Sequence, residues 1–236
     1  MKTTSASYTD KGVRKVNEDS IHLFRVEDID VAIVSDGLGG HGDGEIASKL
    51  AVETVEKCFK LYPEFSEENI YQIMNAAHQN ILELHSDEKK CKATIVAAFM
   101  KKDEVIVAHS GDSRFYSFGM FGINYRTRDH SVSQMAVDMG VLSHDEIPHS
   151  PDRNRVLHCL GGTEFKVDIQ TLKNKKHKGI LLCTDGFWEN VSEKEMQDSL
   201  RKSKNADEWL AKMVKKLEEK EDEKQDNYSA IVILNK

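Results

Sequence analysis

The chain has 236 residues, of which 39% are hydrophobic and 31% are charged, a composition that suits one globular domain with its own hydrophobic core. The formal net charge of −7 at pH 7 argues against nucleic acid or an anionic membrane as a partner. No apolar run is long enough for a transmembrane helix, and residues 1–8 lack the apolar segment of a signal peptide, so we expect a cytoplasmic protein.

Strands dominate the predicted secondary structure. Runs of β-branched and apolar residues predict strands over residues 4–9, 21–26, 30–34, 93–100, 105–108, 114–118, 123–128, 179–184 and 229–234. Helical spacing and capping residues predict helices over residues 45–61, 67–84 and 206–220, before Met139 and after Ser192. The consecutive strands between residues 93 and 128 indicate an antiparallel sheet.

The strand at 30–34 leads into a carboxylate, Asp36. Gly37 follows, and then a density of glycines that no regular element tolerates well, before the helix at 45–61 begins. Exposed backbone N–H groups and a helix N-terminus converge at such junctions, which is where α/β proteins bind ligands. A tight structural turn with one exposed aspartate is the alternative, and a lone Asp-Gly pair would favour it.

Further acids lie at the ends of other predicted strands: Glu18, Asp19, Asp112, Asp185 and Asp226. Carboxylates delivered by rigid strand ends can converge on hard divalent cations, which prefer oxygen ligands. The four cysteines form no C-x-x-C pair and no H-E-x-x-H motif occurs, so nothing indicates a zinc site. Taken singly, the Glu18–Asp19 pair is more typical of a solvated loop, whereas the sequence around Asp112 fits an ordinary Gly-Asp turn and a functional site about equally well.

The segment at about 131–160 is less regular than the rest of the chain. It contains Pro148 and Pro151 and ends near two consecutive glycines. We interpret it as a flap-like excursion beside the site, although ordinary long loops have the same composition.

Six motifs follow one another along the chain, from Arg14 to Ser229: R-x-x-N-E-D, D-G-x-G-G-H-x-x-G-E, S-G-D-S-R, D-H-S, L-x-x-T-D-G and D-N-x-S. Their combination and order resemble the metal-dependent Ser/Thr protein phosphatases of type 2C, in their compact bacterial form, and the resemblance covers nearly the whole chain, from Ser5 to Ile233. The resemblance implies an α+β fold, a four-layer αββα sandwich of two mainly antiparallel β-sheets flanked by antiparallel helices. It also implies that residues 1–236 form a single phosphatase domain.

The resemblance also implies roles for particular residues. Two Mn²⁺ or Mg²⁺ ions per chain would be held by Asp36, which bridges them, and by the Gly37 carbonyl, Asp185 and Asp226. Acids that act through metal-bound water would be Glu18 and Asp19. Arg14 would grip the substrate phosphate, and Asn227 would support the site. A water that bridges the two ions would attack phosphorus.

Two departures from the family pattern concern the general acid and a third ion. Leu38 stands where eukaryotic members have a histidine that is the proposed general acid, so His41 is the nearest titratable alternative. A third ion in the family uses acids that match Asp112 and position 189. Glu189 is one methylene longer than the usual aspartate there.

The sequence therefore predicts a protein-serine/threonine phosphatase that hydrolyses phosphoserine and phosphothreonine in proteins. Its substrates would be those of a Ser/Thr kinase, and we expect a monomer. Two alternatives are a pseudophosphatase that binds phosphoproteins without turnover and a hydrolase of small phosphoesters on the same fold. The presence of Arg14, Asp36, Asp185 and Asp226 argues against the first alternative, whereas nothing in the sequence separates the second from a protein phosphatase.

Overall fold

The structure of the chain, a computed structural model, describes residues 3–39, 43–86, 90–102, 104–173, 177–220 and 225–235. Strands are β1 (Thr3–Asp10), β2 (Asp19–Val26), β3 (Ile29–Leu38), β4 (Lys92–Ala93), β5 (Ile95–Lys101), β6 (Glu104–Ser110), β7 (Arg114–Phe118), β8 (Ile123–Arg126), β9 (Asp168–Lys173), β10 (Gly179–Cys183) and β11 (Tyr228–Asn235). Helices are α1 (Asp43–Leu61), α2 (Glu67–Leu82), α3 (Val132–Asp138), α4 (Asp185–Trp188), α5 (Glu193–Arg201) and α6 (Ala206–Glu218).

The strands form two antiparallel sheets. One sheet has the order β1-β11-β10-β7-β8, and the other has the order β2-β3-β5-β6-β9, with β4 paired to the end of β3. The first and last strands of the chain are neighbours, because β1 pairs with β11 along its whole length. This pairing places the loop after β1 next to the residues that precede β11.

The alternation of side chains along the central strands divides the interior into three apolar layers. In β3, Val31 and Ile33 pack towards α1 and α2, whereas Ala32 and Val34 pack into the layer between the sheets. Strand β10 is divided in the same way, with Leu181 facing α5 and α6. Because both faces of these strands are buried, their sequences read as continuous apolar runs.

Helices cover the outer face of each sheet through aromatic contacts. Phe59 of α1 packs on Phe99 of β5, with ring centroids 4.8 Å apart. On the other side, Trp209 of α6 meets Phe118 of β7 edge-on at 5.4 Å. A fully buried side chain of this kind stabilises the fold by roughly 1.5–3 kcal/mol. The predicted α+β fold of two antiparallel sheets with flanking helices is confirmed.

Several predicted element bounds differ from the structure. The predicted strand at 93–100 is interrupted at Thr94, whose backbone N–H donates to Asp36 O at 2.8 Å and whose hydroxyl accepts from Asp36 N at 3.0 Å. The predicted strand at 123–128 ends at Arg126. Strand β9 was not predicted, because it is an edge strand with exposed polar residues in alternate positions and no apolar run.

The predicted excursion contains α3 and a 3-10 helix over His144–His149. Isolated antiparallel β-bridges pair Ser131 with Val156 and Leu160 with Ala93 near its ends. No helix in the described ranges is long and apolar enough to cross a membrane.

Candidate metal and phosphate site

Carboxylates from both sheets meet at one edge of the sandwich. Asp19 is the first residue of β2 and lies directly opposite Asp36 of β3 in the ladder. Asp185 follows β10, and Asp226 lies two residues before β11. Thr184, which precedes Asp185, donates its hydroxyl hydrogen to Asp19 Oδ2 at 3.0 Å. This hydrogen bond links the end of one sheet to the start of a strand in the other.

Burial and mutual repulsion raise the pKa values of these acids. Burial, followed by the charges of Asp185 and Asp19, raises the pKa of Asp36 well above its ordinary value. Burial raises the pKa of Asp19 to about 7, and the charge of Asp185 adds to this effect while hydrogen bonds from Ser229 and Thr184 oppose it. Burial, followed by the charge of Asp226, raises the pKa of Asp185 to about 6. Carboxylates that repel one another in this way favour a cation between them.

Two carboxylate oxygens at this edge have no hydrogen-bond partner among the described residues. They are Oδ1 of Asp19 and Oδ1 of Asp112, and these residues are only 8% and 2% exposed. A buried polar oxygen without a partner is unfavourable in a folded protein. Divalent cations that prefer oxygen ligands would satisfy such atoms, so the residues present fit Mn²⁺ or Mg²⁺.

Gly37 allows the end of β3 to pack against the start of α1. A Cβ atom at Gly37 would lie 2.1 Å from Gly44 O, closer than any real Cβ contact, so only glycine fits here. The Gly37 N–H donates to Glu18 O at 3.1 Å. Burial raises the pKa of the Glu18 carboxyl, whereas a hydrogen bond from the Gly44 backbone lowers it. Glu18 therefore lies beside Gly37 and the N-terminus of α1.

Arg14 lies at the rim of the acid cluster, on the loop between β1 and β2. Its Nη2 donates to Asp226 Oδ2 at 2.7 Å, and the two side chains are 54% and 38% exposed. An exposed guanidinium presents donors in a planar fork that matches the oxygens of a phosphate group. The residue predicted to grip phosphate is thus beside a residue predicted to bind a cation.

Asp112 and Glu189 both lie within electrostatic reach of Asp185. Burial, followed by the charge of Asp185, raises the pKa of Asp112 well above its ordinary value and that of Glu189 to about 8. Glu189 Oε2 also accepts a hydrogen bond from Nε of Arg153, in the excursion, at 3.3 Å. Both residues predicted to hold a third ion therefore lie close enough to Asp185 to be affected by its charge.

Comparison with known proteins identifies the family. A family model described as protein phosphatase 2C matches residues 11–228. The chain belongs to the protein phosphatase 2C family. The serine/threonine phosphatase stp of Listeria welshimeri is 32% identical over 212 residues, which cover 85% of this chain and 84% of the relative. The predicted family and enzyme class, a protein-serine/threonine phosphatase, are confirmed.

Solved structures of bacterial phosphatases share the fold. The serine/threonine phosphatase of S. agalactiae superposes with a TM-score of 0.88 at 24% identity and full coverage of both chains. The catalytic domain of the phosphatase PstP, in complex with two manganese ions, superposes with a TM-score of 0.84 at 22% identity, covering 98% of this chain and 97% of that domain's chain.

A buried ion pair braces one of the protein phosphatase 2C motifs. Arg114 donates to both carboxylate oxygens of Asp129, at 2.8 and 2.6 Å. The Arg114 guanidinium also lies 3.4 Å from the ring centre of Trp188, whose Nε1 donates to Asp112 O at 3.0 Å. The S-G-D-S-R and D-H-S motifs are therefore joined by an ion pair, and the backbone of Asp112 is held in place.

A second group of possible metal ligands comprises His109, His130 and Asp168, whose ligand atoms all lie within 4.8 Å of one another. The Gly111 N–H donates to His130 Nδ1 at 3.4 Å, so His130 carries its proton on Nε2 and donates it to Asp168 Oδ2 at 3.1 Å. Burial lowers the pKa of His130 to about 4, which agrees with a neutral ring. Because both ring nitrogens of His130 are engaged, we interpret this group as a hydrogen-bond network that supports the loop at Gly111.

One predicted site residue lies outside the part of the chain that the structure describes, and some residues that were not predicted contact site acids. His41 lies outside the described residues, whereas Leu38 is the last residue of β3. Thr94, Thr184 and Arg153 contact site acids but were not predicted as site residues. Thr184 had a signal, since it precedes Asp185 in the L-x-x-T-D-G motif, whereas the other two had none.

Proposed function

We propose that this chain removes phosphate from phosphoserine and phosphothreonine in proteins, using two Mn²⁺ or Mg²⁺ ions. The observation that carries the proposal is the meeting of buried carboxylates from both sheets at one edge, with Arg14 at its rim. The family membership and the two manganese ions of PstP support it.

In this proposal the chain's own atoms hold the two ions: carboxylate oxygens of Asp36, Asp185 and Asp226 and the carbonyl of Gly37. Glu18 and Asp19 would contribute through water, and Asp112 and Glu189 would hold a third ion. Two such ions, when bound, would supply a nucleophile near neutral pH by lowering the pKa of a water shared between them. No covalent phosphoenzyme is needed, and Cys183 is fully buried in β10.

Arg14 has a separate task, which is to bind and orient the phosphate. Its guanidinium can donate two parallel hydrogen bonds to phosphoryl oxygens and offset their negative charge. Asp226 orients the guanidinium, because it accepts a hydrogen bond from Nη2. Thr184 in turn fixes one oxygen of Asp19, which leaves Oδ1 of that residue for the site.

The proposal also covers the partners, oligomeric state and location of the enzyme. Its partners would be phosphoproteins modified by a Ser/Thr kinase, and we propose that it acts as a monomer in the cytoplasm. Residues 131–160 would form a flap beside the site, because Arg153 reaches Glu189 from this segment.

Phosphate release from a phosphothreonine peptide tests the proposal. We expect release with added Mn²⁺, none with excess chelator, and a loss of about a hundredfold or more in Asp36→Asn, because a bridging ligand serves both ions. Asp198→Asn, which changes an exposed acid on α5, is the matched control and should retain activity. Full turnover in chelator would refute the two-ion proposal. Peptide binding without release would indicate a non-catalytic protein, and hydrolysis of small phosphoesters alone would indicate another substrate class.

A further inference from the structure

Asn227, the residue after Asp226, is buried and fastens the loop that carries Arg14. It is 5% exposed, and its side-chain amide forms three hydrogen bonds with the backbone of residues 11–18. Nδ2 donates to Lys11 O and to Val16 O, both at 2.9 Å, and Oδ1 accepts from Glu18 N at 2.8 Å. Both N–H groups of the amide are therefore used on one loop.

Two of these bonds affect residues that have proposed roles, Glu18 directly and Arg14 through a shared acceptor. The Lys11 carbonyl that accepts from Asn227 also accepts the backbone N–H of Arg14 at 3.1 Å. The bond to Glu18 N fixes the backbone of an acid that lies beside Gly37. Asn227 itself lies next to Asp226, the carboxylate that receives Arg14 Nη2.

The loop is also packed tightly against the chain that precedes β11. Gly12 has φ +56°, and a Cβ atom there would lie 2.3 Å from Asp226 O. The Val13 N–H donates to Gln225 O at 3.2 Å. A side chain at Gly12 would therefore both strain the backbone and push the loop away from Asp226.

We infer that Asn227 is a positioning residue, which locks the Arg14 loop to the segment that carries Asp226, so that the phosphate-binding group and a cation-binding group form one rigid unit. The inference rests on the proposed function for the role of Arg14, whereas the lock itself rests on the hydrogen bonds of Asn227. Preorganisation of this kind keeps a binding group in its productive geometry before substrate arrives.

Amide hydrogen exchange tests the lock without reference to activity. We expect the Glu18 amide to exchange at least tenfold faster in Asn227→Ala than in the original chain, because its acceptor is lost. Asn69→Ala is the matched control, since Asn69 Nδ2 also donates to two loop carbonyls, Tyr62 O at 3.0 Å and Glu64 O at 2.9 Å, away from the site. It should leave the Glu18 amide unchanged. Equal exchange at Glu18 in Asn227→Ala and the original chain would overturn the inference.

Steady-state kinetics tests whether Asn227 acts through Arg14. We expect Asn227→Ala to raise KM for a phosphothreonine peptide and the inhibition constant of inorganic phosphate about tenfold, with a smaller change in kcat. In an Arg14→Ala background the same substitution should change KM less than twofold, because the group it positions is already absent. A second full tenfold increase in that background would overturn the inference.

A variant on the loop side tests the lock independently, and Arg14→Ala separates failure of the inference from failure of the proposed function. Gly12→Ala disturbs the same lock from the loop side, so it should reproduce the kinetic pattern of Asn227→Ala even if the latter folds poorly. If the Glu18 amide is deprotected but KM stays the same in Arg14→Ala, the lock stands and the phosphate role of Arg14 is refuted.

Discussion

The guanidinium of Arg14 and the carboxylate of Asp226 are joined by a hydrogen bond of 2.7 Å across 212 positions of sequence. Both side chains are partly exposed, and exposed ion pairs contribute only about 0–1 kcal/mol to stability. A phosphate oxygen can therefore replace the carboxylate as the acceptor at little cost. The pair orients Arg14 towards the acid cluster without holding it out of reach of a substrate.

Replacement of Arg14 should weaken substrate binding more than it slows the chemical step. We expect Arg14→Ala to raise KM for a phosphothreonine peptide by about tenfold or more, because the guanidinium binds phosphate in the ground state and the transition state alike. The KM of Arg14→Lys should lie between that of Arg14→Ala and that of the unsubstituted protein, because lysine keeps the charge but lacks the planar fork of donors. Steady-state kinetics measures KM and kcat.

A matched control for Arg14 is Arg25→Ala. Arg25 is 62% exposed and forms a comparable surface ion pair with Asp30 at 3.4 Å, but it lies in β2 at the opposite end from Asp19. Arg25→Ala should leave KM and kcat unchanged. A KM that does not move in Arg14→Ala would count against its role as the phosphate-binding residue.

Cation binding should release protons near neutral pH. Because burial raises the pKa of Asp185 to about 6 and that of Asp19 to about 7, a fraction of these groups is protonated in the metal-free protein and must ionise to bind a cation. Titration calorimetry with Mn²⁺ in buffers of different ionisation enthalpy should show more protons released at pH 6 than at pH 8.5. Equal release at the two pH values would contradict the raised pKa values.

The same shifts predict how pH affects the stability of the metal-free protein. An acid whose pKa is higher in the folded state than its ordinary value of 3.8 stabilises the fold below that value, and this stability is lost as pH rises through the folded pKa. The loss therefore falls between about pH 4 and pH 7 for Asp185 and Asp19. We expect the Tm difference between Mn²⁺-bound and chelator-treated protein to widen from pH 5.5 to pH 8. Groups elsewhere titrate in both samples, so their contributions cancel when the two Tm values are subtracted. A Tm difference that stays constant with pH would refute the prediction.

The sequence predicted those features that depend on the polarity of a residue and of its near neighbours in the chain. The apolar run at 31–34 predicted a strand buried on both faces, and Asp185 follows a buried strand as predicted. Asp36, predicted to follow its strand, instead lies two residues inside the end of β3 and pairs with Asp19. Local patterns could not show that Asn227 fastens a loop about 210 residues earlier, because that depends on the pairing of β1 with β11. They also could not show the contact between Arg153 and Glu189, which depends on how the excursion folds back.

Removal of the Thr184 hydroxyl should weaken cation binding although this residue is not a proposed ligand. Its Oγ1 donates to Asp19 Oδ2 and accepts from Ser229 N, both at 3.0 Å, so it sets the direction of the Asp19 carboxylate. Loss of such a supporting contact typically costs about 10–100-fold in metal affinity. We expect a loss in that range for Mn²⁺ in Thr184→Val, measured by calorimetry, and recovery of most of it in Thr184→Ser.

Thr54→Val provides the comparison for Thr184. Thr54 is also buried, and its hydroxyl accepts a hydrogen bond from Asn80 Nδ2 at 3.0 Å between α1 and α2. Its replacement should lower stability without changing Mn²⁺ affinity. An unchanged affinity in Thr184→Val would show that Asp19 needs no such support.

The proton that the leaving serine or threonine oxygen requires has no obvious donor in β3, because Leu38 cannot supply one. We predict that His41, three residues further along the glycine loop, donates it. Negative charge builds up on the leaving oxygen as the P–O bond breaks, so a general acid matters most for a poor leaving group. An aryl phosphate leaves as a stabilised phenolate and needs little help.

His41→Gln should therefore slow hydrolysis of a phosphothreonine peptide far more than hydrolysis of an aryl phosphate, with kcat for both substrates as the measurement. His22→Gln, in β2, is the control and should affect neither substrate. Equal losses on both substrates would indicate that His41 holds the glycine loop through a hydrogen bond instead, because a misplaced Asp36 would impair both reactions alike. No loss on either substrate would assign the proton to water at the cation site, since Leu38 occupies the position where eukaryotic members have histidine and no other titratable side chain lies between Asp36 and His41 in the sequence.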